Sequence, residues 1–330
     1  MTIRLAVLGS NSFAGSSFVN YCLNKKVNVI GFSRSKQKNN LELKYKFNKN
    51  LDRFKFYKLN INTNIDKVIN ILKSKKITHL VDFAGQGMVN ESWSNPEQWF
   101  KTNVYTKIKL IEELKKIKIK RYIKISTPEV YGSREKKLLE SDHHNPSTPY
   151  ALTHSTIDNY LILQNKNFNF PCIILRFANF YGEHQPLYRI IPKTIYSIIY
   201  KKKLPLHGSG KSLRSFIYID DFCDAIYKSL NKSKILGEIF NISSNEIISI
   251  KNLIQSICKK MNYDYKKLIS NSSDRIGKDK KYFMCNNKAN KILNWKNKIN
   301  LSKGIDNTIK WFSKNKFEIN KMEKRYIHKK

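Results

Sequence analysis

Residues 3–15, with the sequence IRLAVLGSNSFAG, decide the fold because they join an apolar run to a turn of small residues. The apolar run predicts a strand, and residues 10–19 predict a tight turn followed by a helix. The same alternation continues along the chain: predicted strands cover residues 27–33, 54–61, 77–84, 121–127 and 171–178, and predicted helices cover residues 64–76, 96–118 and 150–166. Strands that alternate with helices indicate an α/β protein with a parallel sheet covered by helices on both faces.

The regular alternation ends near residue 180, which divides the chain into two predicted regions. Residues 1–178 are predicted to form a Rossmann-type doubly wound sheet, the fold of dinucleotide-binding domains, and residues 179–330 a smaller α/β region that is expected to bind the substrate. This second region adds one predicted strand and two predicted helices, over residues 216–220, 190–203 and 220–230. The chain is expected to return to the main sheet at about residues 216–243.

The composition excludes several classes of protein. Hydrophobic residues make up 41% of the 330 residues, which is enough for a large core, but no apolar run reaches the about 18 residues of a membrane span. The N-terminus begins in a strand-like run without the pattern of a secretory signal, so a cytoplasmic protein without a membrane partner is expected. The five cysteines are widely spaced, as expected for reduced structural thiols, and no His/Cys cluster has the spacing of a metal site.

The net charge of +37 is high enough to suggest a nucleic-acid partner. The lysines, however, are spread over the whole chain among many Asn and Ile residues, which indicates a compositional bias and not a binding tract. No nucleic-acid partner is therefore expected, while the positive field would attract an anionic substrate such as a sugar diphosphate. The basic stretch over residues 321–330, KMEKRYIHKK, is interpreted as a solvated segment.

The turn after the first strand is the predicted cofactor site. Gly9 and Gly15 match the ends of a G-x-x-G-x-x-G pattern in which Ser12 takes the middle position. Glycine lets the backbone approach a pyrophosphate, which the helix N-terminus then stabilises. The predicted binding residues of this turn are Gly9, Ser12, Phe13, Ala14 and Gly15.

The end of the second strand bears on the choice of cofactor. NAD sites usually place a carboxylate there to bind the ribose 2′-OH, but here the strand ends in Ser33 and Arg34. An arginine at this position can pair with the 2′-phosphate of NADP, so Arg34 favours NADP over NAD. A surface arginine in a chain rich in Lys and Arg is the alternative interpretation.

Residues 126–132, Ser-Thr-Pro-Glu-Val-Tyr-Gly, and the helix that opens with Pro149 and Tyr150 carry a wider resemblance. The chain resembles the extended short-chain dehydrogenases that modify nucleotide sugars, especially the dTDP-glucose and GDP-mannose 4,6-dehydratases. Four further segments match motifs of this family in the same order: Thr-Asn-Val at 102–104, Leu-Arg-x-x-Asn-x-Tyr-Gly at 175–182, the stretch 208–221, and Asp-Arg-x-Gly-x-Asp at 274–279. The resemblance thus covers nearly the whole chain.

The resemblance implies a set of partners and binding residues. The substrate would be a nucleoside diphosphate sugar, and family members usually pair as homodimers through helices that correspond to residues 96–118 and 150–166. Further implied cofactor contacts are Asn60, Ile61, Ala84 and Asn103. Implied substrate contacts are Asn179, Lys193, His207, Arg214 and Arg275. The two arginines would bind the diphosphate in bidentate fashion, and the alternative is that one or both pair with the neighbouring Asp220 or Asp274.

The resemblance also assigns the catalytic groups of an NAD(P)-dependent enzyme. Tyr150 would act as a phenolate that accepts the proton of the sugar C4 hydroxyl while hydride passes to the nicotinamide. Thr127 would hydrogen-bond the same hydroxyl. Because an unperturbed tyrosine has a pKa of about 10, the pKa of Tyr150 must be lowered for work near neutral pH.

One departure from the family concerns the positive charge beside the tyrosine. The family carries Tyr-x-x-x-Lys, whereas here His154 occupies the lysine position after Tyr150. One helical turn separates the two side chains, so His154 lies on the same face and can still bind the nicotinamide ribose. It would assist the tyrosine electrostatically only when protonated, which leaves slow catalysis, help from another cation, or an inactive binding protein open.

A second departure concerns the loss of water. Dehydratases that resemble dTDP-glucose 4,6-dehydratase carry Asp-Glu after the threonine, whereas this chain carries Pro128 and Glu129, so the base is present and the acid is missing. GDP-mannose dehydratases also lack the aspartate, and epimerases usually have small or apolar residues at the glutamate position. Glu129 therefore favours a nucleotide-sugar 4,6-dehydratase over a 4-epimerase or 4-dehydrogenase, with a catalytically inactive nucleotide-sugar-binding protein as a further alternative.

Overall fold

The computed structural model describes residues 3–38, 40–272 and 279–329, and within these ranges the main sheet has seven strands. The strands in chain order are β1 (Leu5–Leu8), β2 (Val29–Ser33), β3 (Phe54–Lys58), β4 (His79–Asp82), β5 (Arg121–Ser126), β6 (Cys172–Phe177), β7 (Asn179–Tyr181), β8 (Leu204–His207), β9 (Leu213–Arg214), β10 (Phe216–Tyr218), β11 (Ile239–Ile242), β12 (Ile248–Ser249) and β13 (Ile269–Ser272). The main sheet has the order β11-β6-β5-β4-β1-β2-β3, and every neighbouring pair is parallel. The strand order reverses at β1, so the predicted Rossmann-type doubly wound sheet is confirmed, and its ligand crevice is expected at the carboxyl ends of β1 and β4.

The helices lie along both faces of this sheet. In chain order they are α1 (Phe13–Asn24), α2 (Ile65–Ser74), α3 (Glu91–Ser94), α4 (Pro96–Phe100), α5 (Thr106–Lys116), α6 (Pro149–Phe168), α7 (Ile190–Ile199), α8 (Ile219–Asn231), α9 (Ile250–Lys260), α10 (Tyr265–Leu268), α11 (Asn287–Leu293), α12 (Leu301–Lys314) and α13 (Lys316–Ile319). Within the three described ranges, none of them is long and apolar enough to cross a bilayer.

The core occupies both faces of the main sheet because side chains alternate along each strand. In β1, Leu5 and Val7 pack with residues of α1 and α8, whereas Ala6 and Leu8 pack with residues of α2, α5 and α6. All four of these side chains are buried. This explains why the strands of the sheet are near-continuous apolar runs, since each run supplies two cores at once.

The long helix predicted after Asn95 is interrupted by a π-helical turn over Lys101–Tyr105, which joins α4 to α5. Within this turn, the Thr102 hydroxyl accepts a hydrogen bond of 2.9 Å from the loop that follows β3. Asn103 accepts one of 2.8 Å from the backbone amide of Gln86, in the loop that follows β4. A π-turn adds one residue to the helix and re-aims its side chains, and here it directs two polar side chains at loops beside the ligand crevice.

The second region forms three two-stranded sheets among the described residues, β7 with β10, β8 with β13, and β9 with β12. A shorter stretch of chain than the predicted residues 216–243 returns to the main sheet. Only β11 joins it, beside β6, whereas the strand predicted over 216–220 pairs as β10 with β7 outside the main sheet. The division into a cofactor domain and a substrate region stays a prediction.

Candidate functional site

The turn between β1 and α1 forms a backbone cradle. Gly9 has a φ of 78°, in the left-handed region that glycine adopts without strain, and a Cβ on Gly15 would collide with the Gly9 carbonyl oxygen. The Ser12 hydroxyl accepts a hydrogen bond of 3.0 Å from the Gly15 amide and donates one of 2.8 Å to the Gly9 carbonyl. Phe13 and Ala14 open α1. These residues fit the pyrophosphate of a dinucleotide, because a turn closed without bulky side chains leads directly into a helix N-terminus.

The predicted adenosine end lies where β2 and β3 end. Ser33 closes β2, and its hydroxyl accepts a hydrogen bond of 3.0 Å from the turn before α1. Arg34 follows and is half-buried; burial lowers the pKa of Arg34, and nearby Tyr326 opposes the shift. The other two residues predicted for this end, Asn60 and Ile61, form the loop after β3, and Ile61 is buried.

The loop after β4 forms another side of the predicted cofactor site. The amide of Ala84 donates a hydrogen bond of 2.9 Å to the Asp82 carboxylate. Asn103 holds the loop with its side-chain amide, which binds the backbone of Gln86 at 2.8 and 3.1 Å and the Thr153 hydroxyl at 3.2 Å. Asn103 therefore positions the loop, and a direct contact between Asn103 and the cofactor stays a prediction.

Residues 325–329 lie across these loops, which corrects their interpretation as a freely solvated segment. The Gln86 side chain donates a hydrogen bond of 2.9 Å to the Lys329 carbonyl, and the Lys329 ammonium donates one of 3.2 Å to a serine in the loop after β2. The His328 imidazole stacks on Trp99, with ring centroids 5.2 Å apart and planes inclined by 9°. The segment thus bridges the loops after β2 and β4 above the predicted cofactor site.

The predicted catalytic pair comes from two elements. Thr127 follows β5, and Tyr150 lies in the first turn of α6, which the Thr148 hydroxyl caps. Burial and then Glu129 raise the pKa of Tyr150 far above its usual value, while its hydrogen bond with Thr127 and the charge of Arg189 oppose the shift. The protein environment therefore does the opposite of the lowering that the sequence argument requires, and the phenol is neutral in the free chain.

Glu129 lies near Tyr150 and carries a buried carboxyl oxygen. Its Oε2 atom is buried and has no hydrogen-bond partner among the described residues. Burial, with a smaller effect of Asp279, raises the pKa of Glu129 to about 7, although Arg214 and Arg189 oppose the shift. A carboxyl group with a pKa near 7 exchanges its proton readily at neutral pH, which is the property of a general base.

His154 lies one turn after Tyr150 on α6, and the two rings pack with centroids 4.7 Å apart. The Nδ1 atom of His154 is 3.1 Å from the Nζ atom of Lys124, on β5. Burial, followed by the charge of Lys124, lowers the pKa of His154 well below its usual value, so the imidazole is neutral near pH 7. His154 therefore does not supply the missing charge itself, and Lys124 is the cation beside it.

Lys124 belongs to a cluster of charged side chains between the sheet and the helices α5 and α6. It pairs with Asp158 at 3.0 Å, and Arg176 pairs with the same carboxylate at 3.1 Å. Burial would raise the pKa of Asp158, but the two cations outweigh this effect and lower the pKa to about 2. Lys107 pairs with Asp82 at 2.7 Å. These three cations and two carboxylates leave one net positive charge next to the catalytic helix.

Arg214 faces the catalytic groups from β9, although its own hydrogen bonds hold the chain. Its guanidinium donates a hydrogen bond of 2.6 Å to the Asp279 carbonyl and lies over the ring of Tyr282, 4.3 Å from the centroid. The carboxylate of Asp220, considered as an alternative partner, pairs instead with Lys44 at 3.2 Å. Arg214 thus holds Asp279 and Tyr282 in place, and its positive charge lies near Glu129.

The other predicted substrate residues lie in the second region. The Asn179 amide donates a hydrogen bond of 3.3 Å to the Tyr282 hydroxyl, which places Asn179 near Arg214. Lys193 lies on α7, and His207 ends β8, with its Nδ1 atom 3.1 Å from the Ser272 hydroxyl. Arg275 lies outside the described residues. The substrate roles of these side chains stay predictions.

Sequence reasoning missed Lys124, Arg189 and Tyr282. Lys124 could have been noticed in the sequence, because it interrupts the apolar pattern of β5. In the structure its side chain is only 4% exposed, and a lysine is almost never buried without a partner. Arg189 belongs to none of the sequence motifs described above. Its nearness to Tyr150 and Glu129 depends on how the second region packs on the first.

Comparison with known sequences gives the family context of this site. The profile of the NAD dependent epimerase/dehydratase family matches residues 5–243, which is more than half of the chain. A dTDP-D-glucose 4,6-dehydratase from Homo sapiens is 33% identical over 254 residues, which cover 74% of this chain and 71% of that protein.

A second curated relative is longer than this chain. It is a trifunctional UDP-glucose 4,6-dehydratase/UDP-4-keto-6-deoxy-D-glucose 3,5-epimerase/UDP-4-keto-L-rhamnose-reductase from Arabidopsis thaliana, 30% identical over 267 residues. The match covers 79% of this chain but only 40% of the plant protein. The chain therefore corresponds to about two fifths of that relative's length.

Among solved structures, a dTDP-glucose 4,6-dehydratase from Bacillus anthracis, in complex with NAD, has the same fold. Its TM-score is 0.86 at 27% sequence identity, and the match covers 95% of this chain and 97% of that one. The similarity extends over both the main sheet and the second region.

Proposed function

The chain belongs to the NAD dependent epimerase/dehydratase family, and we propose that within it the protein is a nucleotide-sugar 4,6-dehydratase. The observation that carries the proposal is the carboxyl of Glu129 near Tyr150, whose buried Oε2 atom has no hydrogen-bond partner among the described residues and whose pKa is raised to about 7. A 4-epimerase needs an acid/base group for the C4 hydroxyl alone, whereas a 4,6-dehydratase also needs a base for the C5 proton. The activity named for the human relative supports the same choice.

The proposed reaction begins at C4 of the sugar. Tyr150 takes the proton of the C4 hydroxyl while Thr127 holds the oxygen atom in place. A bound nicotinamide dinucleotide would accept hydride from C4 and return it to C6. The 4-keto group acidifies the hydrogen on C5, which brings Glu129 into the reaction.

Glu129 takes the C5 proton in its ionised form, and the C6 hydroxyl leaves as water. Pro128 replaces the aspartate of related enzymes, so we assign both proton transfers of the water loss to Glu129. It removes the proton from C5 and gives that proton to the departing C6 hydroxyl. When hydride returns to C6, C5 takes up the proton that Tyr150 removed from the C4 hydroxyl. The two protons released by the C4 hydroxyl and C5 thus equal the two consumed by the departing hydroxyl and C5, and both side chains return to their starting states. A pKa of about 7 suits a group that must first accept and then donate a proton.

The proposed cofactor binds over the cradle formed by Gly9 and Gly15. NAD is the cofactor named for the similar Bacillus anthracis structure, and Arg34 at the end of β2 supports the alternative that this chain prefers NADP. The proposed substrate is a nucleoside diphosphate sugar, attracted by the net charge of +37.

A homodimer in the cytoplasm is proposed with this activity. Large apolar side chains lie exposed along α4, the π-turn and α6, namely Phe100, Tyr105, Leu152 and Leu163. Exposed large apolar side chains on these elements support pairing through these helices, which sedimentation analysis would measure. The five cysteines are all buried and unpaired, which supports a reducing compartment.

The activity is tested by incubating the protein with a panel of nucleotide sugars and following the products by mass spectrometry and NMR. Loss of water identifies a dehydratase. An unchanged mass with a new NMR spectrum identifies a 4-epimerase. Loss of two hydrogens with accumulation of reduced cofactor identifies a 4-dehydrogenase, and binding without turnover identifies an inactive binding protein.

A further inference from the structure

We propose that Lys124, acting through the imidazole of His154, supplies the positive charge and the hydrogen-bond donor that related enzymes obtain from a lysine one turn after the catalytic tyrosine. In this assignment His154 contacts the ligands and Lys124 is a positioning residue. The proposal rests on the proposed function, because it assigns a role in the chemistry of Tyr150.

The geometry fixes which nitrogen of His154 carries the proton. The Nζ atom of Lys124 lies 3.1 Å from Nδ1, and a lysine ammonium has donors but no acceptor. Nδ1 must therefore accept the hydrogen bond, and the proton of the neutral imidazole lies on Nε2. His154 thus presents an N–H donor on the edge of its ring away from Lys124, while the ring itself packs against Tyr150.

The surrounding charges leave the Lys124 ammonium available to polarise the imidazole. Its carboxylate partner Asp158, on α6, also pairs with Arg176 of β6, so one negative charge serves two cations. Lys107, on α5, pairs with Asp82, which also accepts a hydrogen bond of 2.6 Å from the Tyr122 hydroxyl of β5. The pair of Lys107 and Asp82 is balanced, and the uncompensated positive charge lies on the side of α6.

Other titratable groups also act on the phenol of Tyr150. Glu129 raises the pKa of Tyr150 and Arg189 opposes it, while the phenol of Tyr282 adds a small effect that raises it. The charge relayed from Lys124 therefore acts in the same direction as Arg189 and against Glu129.

This arrangement changes what a lysine at position 154 should do. In the native chain, His154→Lys would place a second ammonium group next to Lys124, and like charges at such a distance repel. The substitution alone is therefore expected to reduce turnover. In a chain that also carries Lys124→Met, the new lysine would be the sole cation at this point and would restore the pattern of related enzymes.

The kinetic test compares the native protein with Lys124→Met, His154→Lys and the double variant. We expect Lys124→Met to lower kcat about tenfold near pH 7 and to move the tyrosine limb of the pH–rate profile up by about one pH unit, because one pKa unit is tenfold in phenolate population. KM is expected to stay within about twofold. The double variant should recover most of the loss. A matched control is Lys116→Met, which removes an exposed lysine that pairs with Glu113 on α5.

Two kinetic outcomes would overturn the relay. The first is a pH–rate profile of Lys124→Met that superimposes on the native one. The second is a double variant that is no faster than Lys124→Met, because a purely structural role of Lys124 would not be rescued by moving the cation to position 154.

A spectroscopic measurement tests the relay without turnover. In protein labelled with ¹⁵N-histidine, His154, assigned by comparison with His154→Gln, should show a protonated Nε2 and an unprotonated Nδ1 at about pH 6–8. In Lys124→Met, the proton of the neutral imidazole should no longer be confined to Nε2, or His154 should become protonated within this pH range. A doubly protonated His154, or an Nδ1–H tautomer in the native protein, would refute the relay. If the native protein turns over no nucleotide sugar, the proposed function fails, whereas these NMR signals still decide the relay.

Discussion

The ring of Tyr150 packs against the imidazole of His154, with centroids 4.7 Å apart and planes inclined by 57°. Burial is the main cause that raises the pKa of Tyr150 and lowers that of His154, so both rings are neutral in the free chain. The charge needed for catalysis therefore comes from neighbouring cations and bound ligands and not from the ionisation of this pair.

Removal of the Tyr150 hydroxyl should separate catalysis from binding. Tyr150→Phe is expected to lower kcat by about 10²–10⁴-fold, the usual contribution of a general acid/base group, and to leave the dissociation constant of the nucleotide sugar nearly unchanged. Steady-state kinetics and calorimetric titration measure the two effects. Tyr160→Phe, on the same helix but hydrogen-bonded to Glu112 at the surface, is the matched control. A Tyr150→Phe variant with native turnover would exclude Tyr150 as the acid/base group.

Glu129 should control the acidic side of the pH–rate profile. Its pKa is raised to about 7, so the carboxyl is protonated below that pH and becomes an effective base above it. Turnover is therefore expected to rise as the pH increases through about 7. Glu129→Gln should lose this limb and release no water, yet still oxidise C4, which appears as absorbance of the reduced nicotinamide at single turnover. An unchanged profile in Glu129→Gln would mean that another group removes the C5 proton.

The arginines assigned to the substrate should affect one ligand only. Arg214→Ala and Arg275→Ala are each expected to weaken nucleotide-sugar binding by about 1.5–3 kcal/mol, the usual value of a hydrogen bond to a charged group. Cofactor binding should stay nearly constant. Arg214→Lys separates the roles of Arg214, because a lysine keeps the charge but loses the bidentate geometry. Equal losses of both ligands in titrations would show that these arginines serve the fold.

The cradle around Gly9 should tolerate no side chain at position 15. In Gly15→Ala, the new Cβ meets the Gly9 carbonyl oxygen, whereas in Gly87→Ala it meets nothing within 4 Å. We expect Gly15→Ala to weaken dinucleotide binding at least about tenfold by displacing the turn that receives the pyrophosphate, and Gly87→Ala to bind as the native chain does. Fluorescence titration measures both. Equal affinities would place the pyrophosphate elsewhere.

Arg34 should determine the preference between the two cofactors. If its guanidinium pairs with a 2′-phosphate, Arg34→Ala weakens NADPH binding by about 1.5–3 kcal/mol and leaves NADH binding nearly unchanged. Parallel titrations with NADPH and NADH measure the difference. If neither affinity changes, Arg34 is a surface arginine and the preference for NADP is abandoned.

Local sequence patterns were sufficient to predict most of the main sheet. The apolar runs of β1, β4 and β6 and the glycine turn before α1 depend on neighbours in the sequence, so their periodicity reveals them. The π-turn over Lys101–Tyr105 and the position of Arg189 depend on contacts between distant segments, which no local pattern encodes. The pairing of Lys124 with His154 is of the same kind, since the two residues meet only when α6 packs on β5.

The bridge made by residues 325–329 bears on the order in which the protein is assembled. The contact between Gln86 and Lys329 joins residues 243 positions apart, and the contact of Lys329 with Ser35 joins residues 294 positions apart. A ribosome therefore completes the glycine cradle long before it makes the segment that spans the crevice. Closing such a long loop costs little more entropy than closing a shorter one, but it cannot begin before residues 325–329 have been made. The glycine turn and the loops after β2 and β4 can therefore fold before the segment that bridges them is available.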